Sequence, residues 1–171
     1  MANAMRRIRV EKVVVNIGVG EAGEKLLKAQ RVLEMITGQK AIQTISKSTI
    51  RDWGIRENMP LGAKVTLRRV RAETFLKRAL AVRNNRLPGY SFDPQGNFSF
   101  GIQDYTDFEG MKYDPEIGVY GMDVSVVLER PGYRIKRRRV ARAHIPPAHR
   151  ISREQGIEFA KGRYGIEVVE S

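Results

Sequence analysis

The chain has 171 residues, a formal net charge of +12, 42% hydrophobic residues and no cysteine. That length and apolar content suit one domain with a real core, and the missing cysteines exclude disulfides, thiol catalysis and thiolate-held zinc, as expected of a reduced cytosolic setting. No apolar run reaches membrane-spanning length and Met1 to Val10 lacks a signal-peptide core, so a cytoplasmic protein without a membrane partner is expected.

In chain order, Glu11 to Ile17 reads as a strand, with Val13, Val15 and Ile17 on one face and Lys12, Val14 and Asn16 on the other. It stops at Gly18. Glu24 to Thr37 sets Leu26, Ala29, Leu33 and Ile36 on one helical stripe, and Gly38 stands where a left-handed C-terminal cap is needed. Ala41 to Ile50 is extended with a weak apolar face. Arg51 to Gly62 is expected as a 12-residue loop, and Ala63 to Val70 as a strand alternating Ala63, Val65 and Leu67 against Lys64, Thr66 and Arg68. Ala72 to Val82 carries Phe75, Leu76, Ala79 and Leu80 at helical spacing, and Asn84 to Gly96 is punctuated by Pro88, Gly89 and Pro94 and predicted to be irregular. Phe98, Phe100 and Ile102 alternate in one strand, and Met122, Val124, Val126 and Leu128 in another. Between them Gln103 to Tyr120 is a long acidic connection, of the kind that is functional or mobile in a compact domain. Ser152 and Gln155 fit a capping box opening a helix through Tyr164, stopped by Gly165. The order predicts an α+β fold with a largely antiparallel sheet, helices on one face and a polar surface on the other. It is expected as a single domain over 1–171, with a core at 9–131 and a basic C-terminal extension at 132–171.

The charge is unevenly spread. Asn84 to Glu129 holds two basic and eight acidic residues, a net −6, while the segments on either side are strongly basic. A basic excess of this size is the footprint of a polyphosphate partner, because each neutralised phosphate releases condensed counterions. Lys12 with Asn16, and Lys64 with Thr66 and Arg68, recur at period two, so each set projects from one side of its strand and suits RNA backbone and ribose contacts. Arg134, Lys136, Arg137, Arg138, Arg139 and Arg142 crowd six cations into nine positions. Such density self-repels without a polyanion, although a nuclear localisation patch would look the same. Trp53 between Arg51 and Arg56 is placed either to stack on a nucleotide or to pack onto its own domain.

Gly18 to Gly23 matches G-x-G-x-x-G between a strand and a helix, but no Asp or Glu lies between Glu34 and Asp52 to hold a ribose hydroxyl. A tight turn is the simpler reading of those glycines. His144 and His149 have no nucleophile or carboxylate tied to them by spacing, and Asp104, Asp107 and Glu109 lack the glycine and terminal Glu of a calcium loop. No enzyme, metal or cofactor is therefore expected.

The stretches KVVVNIGVGEA from Lys12, Gly38 to Lys40, SKSTIRDWGIRENMPLGAKVTLR from Ser46, DPQGNFSFGI from Asp93, KYDPEI from Lys112 and GMDVSV from Gly121 together resemble the universal large-subunit ribosomal protein family numbered five. The tail from Gly132 resembles its archaeal and eukaryotic branch, and the archaeal version is the closer expectation. The resemblance implies a non-enzymatic protein that attaches 5S ribosomal RNA to the large subunit in the central protuberance, beside large-subunit RNA and neighbouring 5S-binding proteins. It implies 5S contacts at Lys12, Asn16, Gln39 and Thr66, three of which lie on the polar faces read above; Lys64 and Arg68 extend that surface. It also implies that Ser48 to Pro60, with Arg51, Trp53 and Arg56, reaches toward P-site tRNA. The acidic stretch with Asp104, Asp107 and Glu109 would bridge to a basic protein of the small-subunit head. The basic tail is expected to supply further RNA contacts. Two alternatives are an RNA-binding module outside the ribosome and a dinucleotide-dependent oxidoreductase resting on the glycine turn.

Overall fold

The structure, a computed structural model, describes residues 3–169. Among the described residues, seven strands and three α-helices run β1 (Arg9–Gly18), α1 (Glu24–Thr37), β2 (Ile42–Ile45), β3 (Pro60–Arg68), α2 (Arg69–Val82), β4 (Arg86–Pro88), β5 (Phe98–Ile102), β6 (Met122–Glu129), α3 (Arg153–Tyr164) and β7 (Glu167–Val169). Five strands form an antiparallel sheet in the order β2-β3-β1-β6-β5, and β4 pairs in parallel with β7. The fold is the expected α+β type. The chain divides into two compact units, one built from the residues up to Val13, Arg68–Phe100 and the residues from Ser125 onward, the other from Val14–Leu67 and Gly101–Val124.

In the second unit, Leu26, Ala29, Val32, Leu33 and Ile36 of α1 are buried together with Val15, Ile17, Ala63, Val65 and Leu67 of the strands. All but Val32 are alternating and helical positions that the sequence marks as apolar. Gly38 ends α1 at φ +64°, where only glycine avoids the Cβ penalty. β3 begins three residues earlier than the pattern predicts, at Pro60, because Gly62 is a strand residue. A Cβ on Gly62 would stand 2.6 Å from the carbonyl oxygen of Ile17 and 3.0 Å from Thr44 Oγ1, so the glycine allows close strand approach rather than breaking the strand. The extended segment after α1 shortens to Ile42–Ile45, and Val70 belongs to α2 rather than to β3.

The acidic connection from Gln103 to Tyr120 is anchored in this unit. Tyr105, Phe108 and Ile117 are buried, the Tyr105 hydroxyl accepts from the Asp114 backbone N–H at 3.1 Å, and the Tyr120 hydroxyl donates to the Lys25 carbonyl at 3.0 Å.

In the first unit, Ala72, Phe75, Leu76, Ala79 and Leu80 of α2 are buried with Phe98, Val126 and Leu128. The motif after β4 folds on Asp93, whose Oδ1 accepts from the backbone N–H groups of Gln95 and Asn97 at 2.9 and 2.7 Å. Asn97 Oδ1 in turn accepts from the Leu128 N–H at 3.0 Å, tying the turn to β6. The capping box of α3 is complete, with the Ser152 hydroxyl and the Gln155 side chain each satisfying a backbone donor, and Gly165 closes the helix at φ +65°. The segment predicted to be irregular contains β4, whose Arg86, Leu87 and Pro88 are in register with Glu167, Val168 and Val169.

α3 meets the turn at two glycines. A Cβ on Gly156 would fall onto the carbonyl oxygen of Gly96 and lie 2.6 Å from its Cα, both rigid backbone atoms. Gly156→Ala is therefore expected to cost about 2 kcal/mol or more despite the higher helix propensity of alanine. Chemical denaturation of the variant beside Gly162→Ala, which meets nothing within 4 Å, checks this: the Gly162 change should be neutral or stabilising.

Candidate RNA interface

The alternation of β1 and β3 sorts chemistry onto opposite faces. Val15, Ile17, Ala63, Val65 and Leu67 are almost fully buried, whereas Asn16 and Thr66 are half-buried and Lys64 is exposed. Among the described residues of the second unit, Asn16, Lys64 and Thr66 thus form an accessible surface of one cation and two hydrogen-bonding groups. Gln39, which strand periodicity does not identify, joins them: its Nε2 donates to the Thr66 carbonyl at 3.3 Å. β2 pairs with β3 only as far as Lys64, so the side chain of Gln39 takes up a carbonyl beyond the end of that pairing. Lys12 is half-buried on the first unit's part of β1.

Arg68 is exposed but engaged, donating to Glu11 at 3.4 Å. Glu11 also accepts from Arg137. Arg137 reaches Glu129 as well, at 2.8 Å, and Glu129 receives Nε and Nη2 of Arg9 at 3.0 and 2.7 Å. The carboxylates of Glu11 and Glu129 are only 8% and 11% exposed, so these pairs are better shielded than ordinary surface bridges. They hold Arg137, inside the basic run, against the strands of the first unit. The other cations of the run have no carboxylate partner among the described residues: Arg134, Arg139 and Arg142 face solvent, Lys136 lies 5.3 Å over the Tyr133 ring, and Arg138 Nε donates to the Ala141 carbonyl at 2.7 Å.

The loop between β2 and β3 is a built hairpin extension. Ser46 and Met59 bond through their backbones at 2.8 Å, and the Asn58 N–H donates to the Ser46 carbonyl at 3.0 Å. Ile50 and Ile55 form a further bridge around a 3-10 turn, Arg51–Trp53, that Gly54 ends at φ +66°. Arg51 and Arg56 are exposed, and Trp53 is 74% exposed. Packing of that indole onto the parent unit is thereby overturned, since a ring left this open is available for stacking.

Of the three acidic positions singled out, Asp104 caps the 3-10 turn that follows it by accepting from the Thr106 N–H at 3.1 Å, while Asp107 and Glu109 are exposed. The glycine turn from Gly18 uses its first donors internally, with the N–H groups of Val19 and Gly20 at 3.0 and 2.8 Å from the Leu61 carbonyl. Those donors are not free to cradle a pyrophosphate. Among the described residues, no group of three or more His, Cys, Asp and Glu is placed to hold a metal ion, and no helix is long and apolar enough to cross a membrane.

Residues 3–56 match the family described as "Ribosomal protein L5", and residues 60–159 match the model of the C-terminus of that same ribosomal family. Among similar proteins, the large ribosomal subunit protein uL5 of Thermoplasma volcanium is 52% identical over 168 residues, covering 98% of this chain and 99% of the relative. That of Sulfurisphaera tokodaii is 52% identical over 169 residues, covering 98% and 96%. That of Methanococcoides burtonii is 48% identical, covering 98% and 99%.

Because Glu129 is shielded and holds two partly exposed arginines, Glu129→Ala should cost about 1 to 2 kcal/mol, from two lost pairs and their shared packing. Glu167→Ala, which breaks one exposed pair with Arg86, should cost less than about 1 kcal/mol. Urea midpoints of the two variants check the difference.

Proposed function

The chain belongs to the ribosomal L5 family and is a protein of the large ribosomal subunit, not an enzyme, and from this premise we propose that it binds 5S ribosomal RNA and helps attach it to that subunit. The observation that carries the reading is the polar surface of Asn16, Lys64 and Thr66 opposite a fully apolar one, with Gln39 brought to Thr66 by its own hydrogen bond. A cation beside amide and hydroxyl groups fits phosphate and ribose, the parts of an RNA helix that proteins contact without reading sequence. Lys12 and Arg68 extend the cationic contribution from the first unit, and Arg134, Lys136, Arg138, Arg139 and Arg142 supply contacts to large-subunit RNA.

The hairpin carrying Arg51, Trp53 and Arg56 is the segment that reaches P-site tRNA, with the open indole as stacking platform between two cations. Asp107 and Glu109 face a basic protein of the small-subunit head, which gives the −6 stretch a complementary partner. Asp104 works differently, holding the turn that presents them.

Asn16→Ala combined with Lys64→Ala should weaken 5S RNA binding about tenfold and flatten its salt dependence by about one in log-log slope. Folding stability should change by less than about 1 kcal/mol, since neither side chain is in the core. Equilibrium binding across a salt series beside thermal melts tests the reading; unchanged affinity with intact folding would overturn it.

Trp53→Ala combined with Arg56→Ala should leave 5S RNA binding within about twofold of the parent protein and weaken retention of tRNA in the P site of reconstituted ribosomes about tenfold. Filter retention of labelled tRNA measures the second quantity, and equal loss of both would place the hairpin inside the 5S site.

A further inference from the structure

One basic feature lies apart from the strand faces. Arg9, Arg130, Arg134, Arg137 and Arg138 share with Glu129 the wall of a cavity of about 460 Å³, all within the first unit. Arg130 is the unusual member. It is 5% exposed, its Nη1 donates to the carbonyls of His149 and Arg150, both at 3.3 Å, and its Nη2 donates to Gln155 Oε1 at 2.9 Å. Its Nε meets no acceptor among the described residues. Each of those partners is neutral, and arginine does not give up its proton, so among the described residues a full charge is buried with hydrogen bonds but without a counter-ion. Burying a charge in this way is costly unless an opposite charge comes close.

The described residues do not supply that charge at the cavity. Glu129, the one carboxylate they place on the wall, is already shared between Arg9 at 2.7 Å and Arg137 at 2.8 Å. Arg134 and Arg138 are exposed, and the bond from Arg138 Nε to the Ala141 carbonyl fixes that guanidinium by one edge. Every cation among these wall residues is an arginine, whose planar fork matches the paired oxygens of a phosphate, and none is a lysine.

We propose that this cavity is a phosphate socket that takes one phosphodiester of ribosomal RNA. Arg134 and Arg138 donate to its oxygens, and Arg130 is the buried charge that the phosphate neutralises. The assignment of the ligand to RNA rests on the reading of the chain as an RNA-bound ribosomal protein; a free phosphate would offer the same chemistry, and the two are separated by experiment.

Arg134→Gln with Arg138→Gln removes the two exposed donors that are not bonded to Glu129 and leaves the contacts of Arg9, Arg130 and Arg137 in place. Lys77→Gln with Arg83→Gln removes equal charge from exposed positions elsewhere in the unit. Inorganic phosphate is titrated against chloride at constant ionic strength while melting is followed. The parent and the control pair should gain about 3 °C at a phosphate concentration about tenfold above the dissociation constant, and the socket pair less than about 1 °C. Equal gains in all three would be a general salt effect and would overturn the socket. In the second arm, binding to 5S and large-subunit RNA is measured across salt. The socket pair should lose about tenfold more affinity than the control pair, with a slope lower by about one to two. A phosphate response without that difference in RNA binding would mark a free-anion site and overturn the RNA assignment. Failure of the parent protein to bind either RNA would instead overturn the RNA-bound reading of the chain, while the melting arm would still decide whether the socket exists.

Discussion

A chain carrying a net charge of +12 has to fold against its own repulsion, and the pairing of Glu11 and Glu129 with Arg9, Arg68 and Arg137 is where the first unit does so. Two shielded carboxylates collect three guanidinium groups drawn from β1, β3 and the segment beyond β6. The carboxylates are shielded while the arginines stay partly in water, so the desolvation cost falls mainly on Glu11 and Glu129. Their effect here is to sort the cations. Arg137 becomes part of the framework, while Arg134, Arg139 and Arg142, close to it in sequence, remain exposed. The basic run is thereby two populations, one paired with shielded carboxylates and one without a carboxylate partner among the described residues.

The same sorting appears in the strands by a different means. Period-two alternation gives β3 a buried row of Ala63, Val65 and Leu67 and an accessible row of Lys64, Thr66 and Arg68, so no special contact is needed to aim the polar groups outward. Burial of the apolar row holds the backbone, and the accessible row inherits its spacing from the pleat. A polar surface built on strands is therefore as firmly placed as the core behind it.

How much of this was legible in the residues depended on whether the signal was local. α1 and α3 were read to their ends because their stops are local: Gly38 and Gly165 in the left-handed region, and a capping box whose two members are three residues apart. The alternating faces of β1 and β3 were legible for the same reason. Gly62 misled, since a glycine that permits close strand approach looks the same in sequence as one that ends a strand. β4 and β7 were not legible, being three residues each and joined across more than eighty positions, too short for any periodicity. Glu129 and Arg130 gave no warning either. A buried charge and a surface charge are the same letter, and only the partners brought by folding distinguish them. Gln39 was reachable through the family resemblance alone, because its hydrogen bond to Thr66 spans 27 residues.

The pairing of β4 with β7 bears on how the protein comes into being. The partner of β4 is made more than eighty residues after it, and the first unit also includes the N-terminal stretch, so that unit is completed only when the last strand arrives. The second unit, ending at Val124, has all its residues much sooner. Long-range closures of this kind are slow, because the loop entropy comes due before the contacts form. During synthesis the surface carrying Asn16, Gln39, Lys64 and Thr66 is accordingly complete while the basic tail is still being added. A nascent chain in that interval holds all the residues of its strand-borne polar surface before those of its basic run.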